Sequence, residues 1–284
     1  MKKISLIGFG NIGSQIATFL RDKELEIVAF DIKKEASEGK ILDIKHCPNV
    51  KADIYFTDNY ESLKNSDCVV ITAGLPRKDG QTREELLNIN KPIIQNIAME
   101  VKKNCPDAFV IMVTNPVDVM LYEFIKTSNL PKQQCIGMSS SLDIERFRHV
   151  LADYFSVNIE FVETFVLGEH NDKMFFIKEM TKINNISIQE YLVQGKISET
   201  KLNELFDKSK AMGGTINKLT GASAYIAPAM HCVDLIEKIF YQQNTLNIIL
   251  ASYFLEGKNG KNDVCEGSIL KINKKRVEKV VNYY

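Results

Sequence analysis

The residues best suited to chemistry fall into a few short clusters. Gly8-Phe9-Gly10-Asn11-Ile12-Gly13 is a GxGxxG that follows an apolar run and opens a helical pattern. In that setting the first glycine permits a tight turn, the second a close backbone approach to a pyrophosphate, and the third close helix–strand packing. The free N–H groups and partial positive charge of the helix start favour phosphates. Asp31 closes a second apolar run, LEIVAFD, where an acid accepts both ribose hydroxyls of an adenosine half and repels a 2′-phosphate. Ile32 follows rather than an arginine, so NAD is expected over NADP. Asp31 alone reads equally well as a helix cap. The order strand, glycines, helix, strand, acid favours a dinucleotide site.

Other clusters are ambiguous on their own. Asn115, in Thr114-Asn115-Pro116, follows the apolar run AFVIMV, and strand ends line the crevice of a doubly wound sheet. By itself this reads as a strand-to-helix turn, with Pro116 as a first helical residue. Asp143 and Arg146 share a helix face, as an ordinary surface ion pair would. Phe147, Val150 and Leu151 extend that face, which suggests partial burial. His170, in VLGEHND, follows an apolar run and a glycine, unlike His149 and His231, which lie within amphipathic helical patterns. A lone histidine is more often structural. Arg77, Lys78 and Arg83 lie in a polar stretch punctuated by Gly74 and Gly80, as in a mobile lid closing over an anion or in a solvated basic loop.

The elements that must position these residues alternate through the first half. Strands are expected at KISLIG, LEIVAF, DCVVITA and AFVIMVT, and helices at residues 11–23, 33–46 and 83–104. Pro92 should start a new helix or kink the last of these. In the second half, residues 142–155, 198–212 and 224–240 read as helices. IEFVETFVLG, MFFIKEM, LNIILASYFLEG and CEGSILKI read as strands, the last two around a turn at Gly257 to Gly260. The fold class expected is α/β: an N-terminal Rossmann-type doubly wound parallel sheet over residues 1–139 and a C-terminal α+β substrate domain over residues 140–284. No Pro-, Gly- or Ser-rich linker separates them, so tight packing is expected.

Composition narrows the function classes. With 36 basic and 36 acidic residues the formal net charge is zero, which argues against a nucleic-acid or membrane-surface partner. The apolar run after the first lysines is too short for a signal sequence, and no stretch nears the ~20 apolar residues of a membrane span. A cytoplasmic location is expected. The six cysteines, Cys47, Cys68, Cys105, Cys135, Cys232 and Cys265, form no CxxC and read as buried thiols; no metal site is expected.

Taken in order, GFGNIG, TAGLPRKDGQTR, VTNPVDVM, SLDIERFR and VLGEHND resemble the motifs of the malate/lactate dehydrogenase family over nearly the whole chain. Ala222 to Ala229 is similar to the family's pocket helix, with Ser223 as a substrate contact. The resemblance implies that His170 is the general acid/base, that Asp143 holds its other ring nitrogen, and that Arg146 grips a substrate carboxylate bidentately. It implies that Arg83 polarises the reacting carbonyl and that Asn115 orients that oxygen near the nicotinamide. Gly8, Gly10, Asn11, Ile12, Gly13, Asp31, Gly74, Asn90, Val113 and Asn115 are the implied NAD contacts.

Arg77 matches the family's substrate-selecting position: malate dehydrogenases carry arginine there and lactate dehydrogenases usually glutamine. A second carboxylate desolvated under a lid needs a cation, so a small dicarboxylate is expected. L-Lactate dehydrogenase and a non-catalytic NAD(H)-binding redox sensor are the alternatives. A dimer or tetramer is implied. Three departures stand out. Asn171 replaces a usual glycine, and asparagine tolerates positive φ. Asp79 replaces a common proline. Residues 280–284 end the chain where family members usually continue through a helix, so differences are expected in final packing and the subunit interface.

Overall fold

Continuous apolar runs become buried parallel strands. β1 (Lys2–Ile7), β2 (Leu25–Phe30), β3 (Asp53–Thr57), β4 (Cys68–Ile71), β5 (Phe109–Met112) and β6 (Cys135–Gly137) pair in parallel in the order β3-β2-β1-β4-β5-β6. The computed structural model describes residues 2–75, 82–241, 247–258 and 260–282, without the side chains of Arg83 and Lys258. Strand order reverses between β1 and β4, and open sheets of this kind bind ligands outside the carboxyl ends at that point.

Alternate side chains point to opposite faces. Ile4 and Leu6 enter one core cluster with Ile16, Ala17 and Leu20 of α1 (Asn11–Leu20) and Ile41 and Ile44 of α2 (Lys34–Lys45). Ile7, Val69 and Val110 enter the other, with Ile94, Ala98 and Val101 of α3 (Arg83–Asn104) and Met120, Leu121 and Phe124 of α4 (Val117–Ser128). A capping box starts α3: Glu85 N–H donates to Thr82 Oγ1 at 3.1 Å and Thr82 N–H to Glu85 Oε2 at 2.8 Å. Pro92 does not start a new helix. It sits inside α3, whose neighbours on β4, β5 and α4 bury Ile94 and Ala98 strongly enough to carry the helix through.

The second half is more broken than its apolar runs suggest. α5 (Ser140–Phe155) is followed by β7 (Val162–Glu163), β8 (Val166–Leu167), β9 (Phe175–Phe176), β10 (Lys182–Ile183) and β11 (Ile186–Ser187). The two expected strands, over residues 159–168 and 174–180, are therefore short pieces flanked by 3-10 turns at Ile159–Phe161 and Lys178–Met180. Phe176 of β9 pairs with Val166 of β8 and also packs its ring on Phe147 of α5, which meets Phe176 and Phe206 with ring centroids 5.0 Å apart. After α6 (Ile188–Val193), α7 (Glu199–Thr220) runs past the expected end at residue 212, through Gly213 and Gly214, and stops at Gly221 in the left-handed region, φ 70°. α8 (Ile226–Phe240) then packs against α1 and joins the first core.

β12 (Ile248–Lys258), β13 (Lys261–Asn273) and β14 (Arg276–Val280) form antiparallel hairpins. Gly257 and Gly260, φ 69° and 71°, flank the first turn as the glycine spacing predicts. Ser252 of β12 pairs with Gly137 of β6, which joins these strands to the parallel set as a nine-stranded sheet among the described residues. The two halves thus share one sheet, consistent with the lack of a linker. Five cysteines are buried and Cys47 is half-buried. Among the described residues no helix is long and apolar enough to cross a membrane.

Candidate active site

The glycine loop turns at the carboxyl end of β1. Gly8 has φ +97°, and a Cβ there would lie 2.5 Å from Ala73 N. A Cβ on Gly13 would lie 2.2 Å from Gly8 O, so α1 can approach the loop this closely only with glycine. Gly10 differs: nothing stands within 4 Å of where its Cβ would be, and no side chain caps α1. Asn11, Ile12 and Gly13 therefore begin a helix whose first N–H groups have no side-chain cap. Asp31 follows β2; its Oδ2 accepts from Phe9 N–H at 2.6 Å and its Oδ1 from Lys33 N–H at 2.9 Å. Lys40 of α2, which no sequence motif singles out, donates to Phe9 O at 3.1 Å. Together the acid and the ammonium hold both sides of Phe9 in the middle of the loop.

Next to this loop, Thr72 Oγ1 donates to Gly8 O at 2.7 Å. Gly74, φ +148°, lies where a Cβ would meet Thr114 Cγ2 at 2.6 Å. Asn90 of α3 is fully buried: its Oδ1 accepts from Leu75 N–H at 2.9 Å, and its Nδ2 donates to Leu75 O at 3.2 Å and Asn115 O at 2.9 Å. Its polar atoms thus tie the Leu75 backbone to that of Asn115. Val113, also buried, leads into Asn115, whose bond to Pro116 is cis. Pro116 is the residue before α4 rather than its first turn.

Across the crevice α5 presents Asp143. This carboxylate is 5% exposed and carries two interactions: His170 Nδ1 at 2.6 Å from Oδ2, and Arg146 Nη1 donating to Oδ1 at 3.2 Å. The Asp143–Arg146 pair is therefore interior, because the apolar stripe beside it seats α5 against α7. Gly213 of α7 lies beside the guanidinium, where a Cβ would make an ordinary contact at 3.5 Å from Arg146 Nη2. Burial pushes the His170 imidazole down, but the charge and hydrogen bond of Asp143, helped by Asp118, overcome it and raise the pKa above 6.5. With Nδ1–H given to Asp143, Nε2 is left to accept or return a proton. A cavity of ≈ 370 Å³ opens beside His170, lined also by Asn115, Pro116, Leu86 and Leu87.

Family models match end to end: lactate/malate dehydrogenase, NAD binding domain, over residues 2–137, and lactate/malate dehydrogenase, alpha/beta C-terminal domain, over residues 140–284. The chain belongs to the lactate/malate dehydrogenase family. A malate dehydrogenase of Pelagibacter ubique (strain HTCC1062) is 39% identical, covering 99% of this chain and 89% of that one. The malate dehydrogenase of Cryptosporidium parvum superposes with a TM-score of 0.91 at 37% identity, over 100% of this chain and 91% of that one. The lactate dehydrogenase of Eimeria maxima, solved with NADH and oxamate, does so with a TM-score of 0.90 at 34% identity, over 99% and 86%.

The residues fit the family's dinucleotide. The space above Gly10 is one that a Cβ would fill, at an uncapped helix start, with an anchored acid at the end of the next strand. The remaining expectations divide. Arg77 lies outside the described residues, as do Lys78, Asp79 and Gly80; Arg83 begins α3, but its side chain is also outside them. Ser223 stands exposed just before α8. Asn171 does not use positive φ. Instead its side chain bridges the turn, with Nδ2 donating to Glu169 Oε2 at 2.9 Å and Oδ1 accepting from Lys173 N–H at 2.7 Å.

The sequence reading also missed contacts at the base of the site. Gly168, φ +90°, exchanges backbone hydrogen bonds with Gly267 of β13 at 3.1 and 2.8 Å. A Cβ on Gly267 would fall 1.9 Å from Ser140 Oγ. Asp118 of α4 accepts the His170 backbone N–H at 2.6 Å. The available signal was a polar residue in a buried run: Ser252 interrupts the apolar strand β12 and donates to Asp118 Oδ1 at 2.5 Å.

Proposed function

We propose that this chain is an NAD-dependent malate dehydrogenase that interconverts (S)-malate and oxaloacetate. The observation that carries the reading is the His170–Asp143 contact of 2.6 Å beside Asn115, at the carboxyl edge of a sheet whose glycine loop fits a dinucleotide. Residues 1–139 serve as the nucleotide half and residues 140–284 as the substrate half. The redox chemistry is supplied by NAD when bound, as acceptor of the hydrogen and electron pair leaving the hydroxyl-bearing carbon.

The chain's own residues manage charge and protons. His170 Nε2 takes the hydroxyl proton during oxidation and returns it during reduction. Asp143 keeps the ring in the required tautomer and stabilises the imidazolium. Arg146, with one nitrogen on Asp143, offers its remaining donors to the substrate's C1 carboxylate. Arg83 polarises the carbonyl, Asn115 orients it, and Ser223 completes the substrate wall. Arg77 pairs with the second carboxylate and selects malate over lactate. Gly8, Gly10, Asn11, Ile12, Gly13, Asp31, Gly74, Asn90 and Val113 form the cofactor's bed, Asn90 through the backbone it holds. The partner is a small dicarboxylate. Exposed Leu219, Ile226 and Met230 at the α7–α8 junction support self-association. A cytoplasmic location accords with six cysteines that form no disulfide.

The test is NADH oxidation by the purified protein with oxaloacetate and pyruvate supplied separately. Turnover with oxaloacetate alone is expected. Preference for pyruvate would overturn the substrate. His170→Asn should bind NADH yet lose most turnover; undiminished turnover would remove His170 from its role.

A further inference from the structure

The loop carrying His170 is gripped at three places. Asp143 takes the ring, and Gly267 takes the backbone of Gly168. The third grip is Asp118, whose Oδ2 accepts the His170 N–H at 2.6 Å while Oδ1 accepts Ser252 Oγ–H at 2.5 Å. Asp118 is 9% exposed and Ser252 is fully buried. An acid in the first turn of a helix ordinarily faces water, where the helix dipole favours it cheaply. Here it is turned inward, and burial pushes its carboxyl up to about 6, against the hydrogen bonds from Ser252 and His170 that hold it ionised. An asparagine would occupy the same volume without this cost. A buried charge kept at such a place needs an electrostatic reason.

We propose that Asp118 is a positioning residue for His170: anchored by Ser252, it fixes the histidine's backbone while Asp143 fixes the ring, and its negative charge supports the imidazolium. The inference rests on His170 being the proton carrier. Two carboxylates on different helices, α4 and α5, hold the two ends of one residue. A shift of the loop that kept one contact would break the other, so the distance from Nε2 to the substrate oxygen is set by both. Among the described residues, the charged groups facing His170 are Asp143 and Arg146 from α5, Asp118 from α4, Glu169 on its own loop and Glu84 of α3 on the cavity wall. Asp118 acts in the same direction as Asp143, and Arg146 opposes them.

Asp118→Asn isolates the charge, because the amide oxygen still accepts the His170 N–H and the amide nitrogen donates to Ser252 Oγ. The free protein is titrated by NMR; it has four histidines, and the His170 signal is identified by its loss in His170→Asn. The His170 midpoint is expected to fall by roughly half a unit to one unit in Asp118→Asn, with NADH affinity retained. The pH midpoint of malate oxidation should move with it. Ser252→Ala is the second variant: it keeps the acid but removes a bond that holds it ionised, so a smaller fall in the same direction is expected. A folded Asp118→Asn protein with an unmoved His170 midpoint overturns the proposal. If that variant does not fold, an unmoved midpoint in Ser252→Ala does so. Wild-type protein that turned over neither malate nor oxaloacetate would refute the functional reading instead, since the titration is read without substrate.

Discussion

Replacing Gly10 and Gly13 by alanine, one at a time, should separate cofactor binding from folding. Gly10 has φ −71° and ψ −150°, and no atom lies within 4 Å of its absent Cβ. Alanine lowers the entropy of the unfolded chain, worth about 0.4–1 kcal/mol. It is a poorer N-cap than glycine by a similar amount, so the two effects roughly cancel. Free Gly10→Ala should therefore melt near the wild type. Its methyl group nevertheless occupies the space a pyrophosphate would enter, and pushes the phosphate oxygens back from the N–H groups of α1. Losing one charge-assisted hydrogen bond of about 1.5–3 kcal/mol weakens NADH binding roughly 10- to 100-fold. Gly13→Ala behaves differently. Helix propensity favours alanine by about 0.8–1 kcal/mol. Its Cβ, however, would sit 2.2 Å from Gly8 O, so α1 and the loop must part by close to an ångström. Overpacking of that kind costs about 1–3 kcal/mol, which outweighs propensity. That variant should lose stability and binding together. The assay is NADH fluorescence titration beside thermal unfolding of the free proteins. Wild-type NADH affinity in Gly10→Ala would refute the close-approach argument, and equal destabilisation of the two variants would refute the assignment of open space above Gly10.

Further outcomes follow from the same geometry. Asp143→Asn should cut turnover by roughly 10²- to 10⁴-fold, because the amide presents a donor to Nδ1 and turns the ring to the wrong tautomer; a loss no larger than a few-fold would show that the 2.6 Å contact does not set the ring state. The raised pKa of His170 gives opposite pH dependences: malate oxidation needs the neutral ring and should rise as pH passes upward through a midpoint above 6.5, while oxaloacetate reduction needs the protonated ring and should fall over the same interval. Parallel profiles in the two directions would contradict this. Arg77→Gln should shift the ratio of catalytic efficiencies from oxaloacetate toward pyruvate, and an unchanged ratio would remove Arg77 as the selector.

What the sequence determined by itself was the local pattern. Strand, glycines, helix, strand and acid in order identified the nucleotide half, because GxGxxG and Asp31 lie within one βαβ stretch whose geometry is set by short-range sterics. The motifs around Asn115, Asp143 and His170 were each ambiguous from local pattern, and were legible as a set only because their order and spacing resemble one family's motifs. Three-dimensional packing decided what local pattern could not. Pro92 lies inside a long helix because burial of the apolar residues after it outweighs its propensity. The apolar stretches at 159–168 and 174–180 fold as two-residue strands, with Phe176 packed between Phe147 and Phe206. Sequence spacing also cannot say which acid faces which base. Asp118 is 52 residues from His170 and 134 from Ser252, and only the seating of α4 between the His170 loop and β12 brings them together. A buried charge is placed by all the surfaces that close around it, and those surfaces come from both halves of the chain.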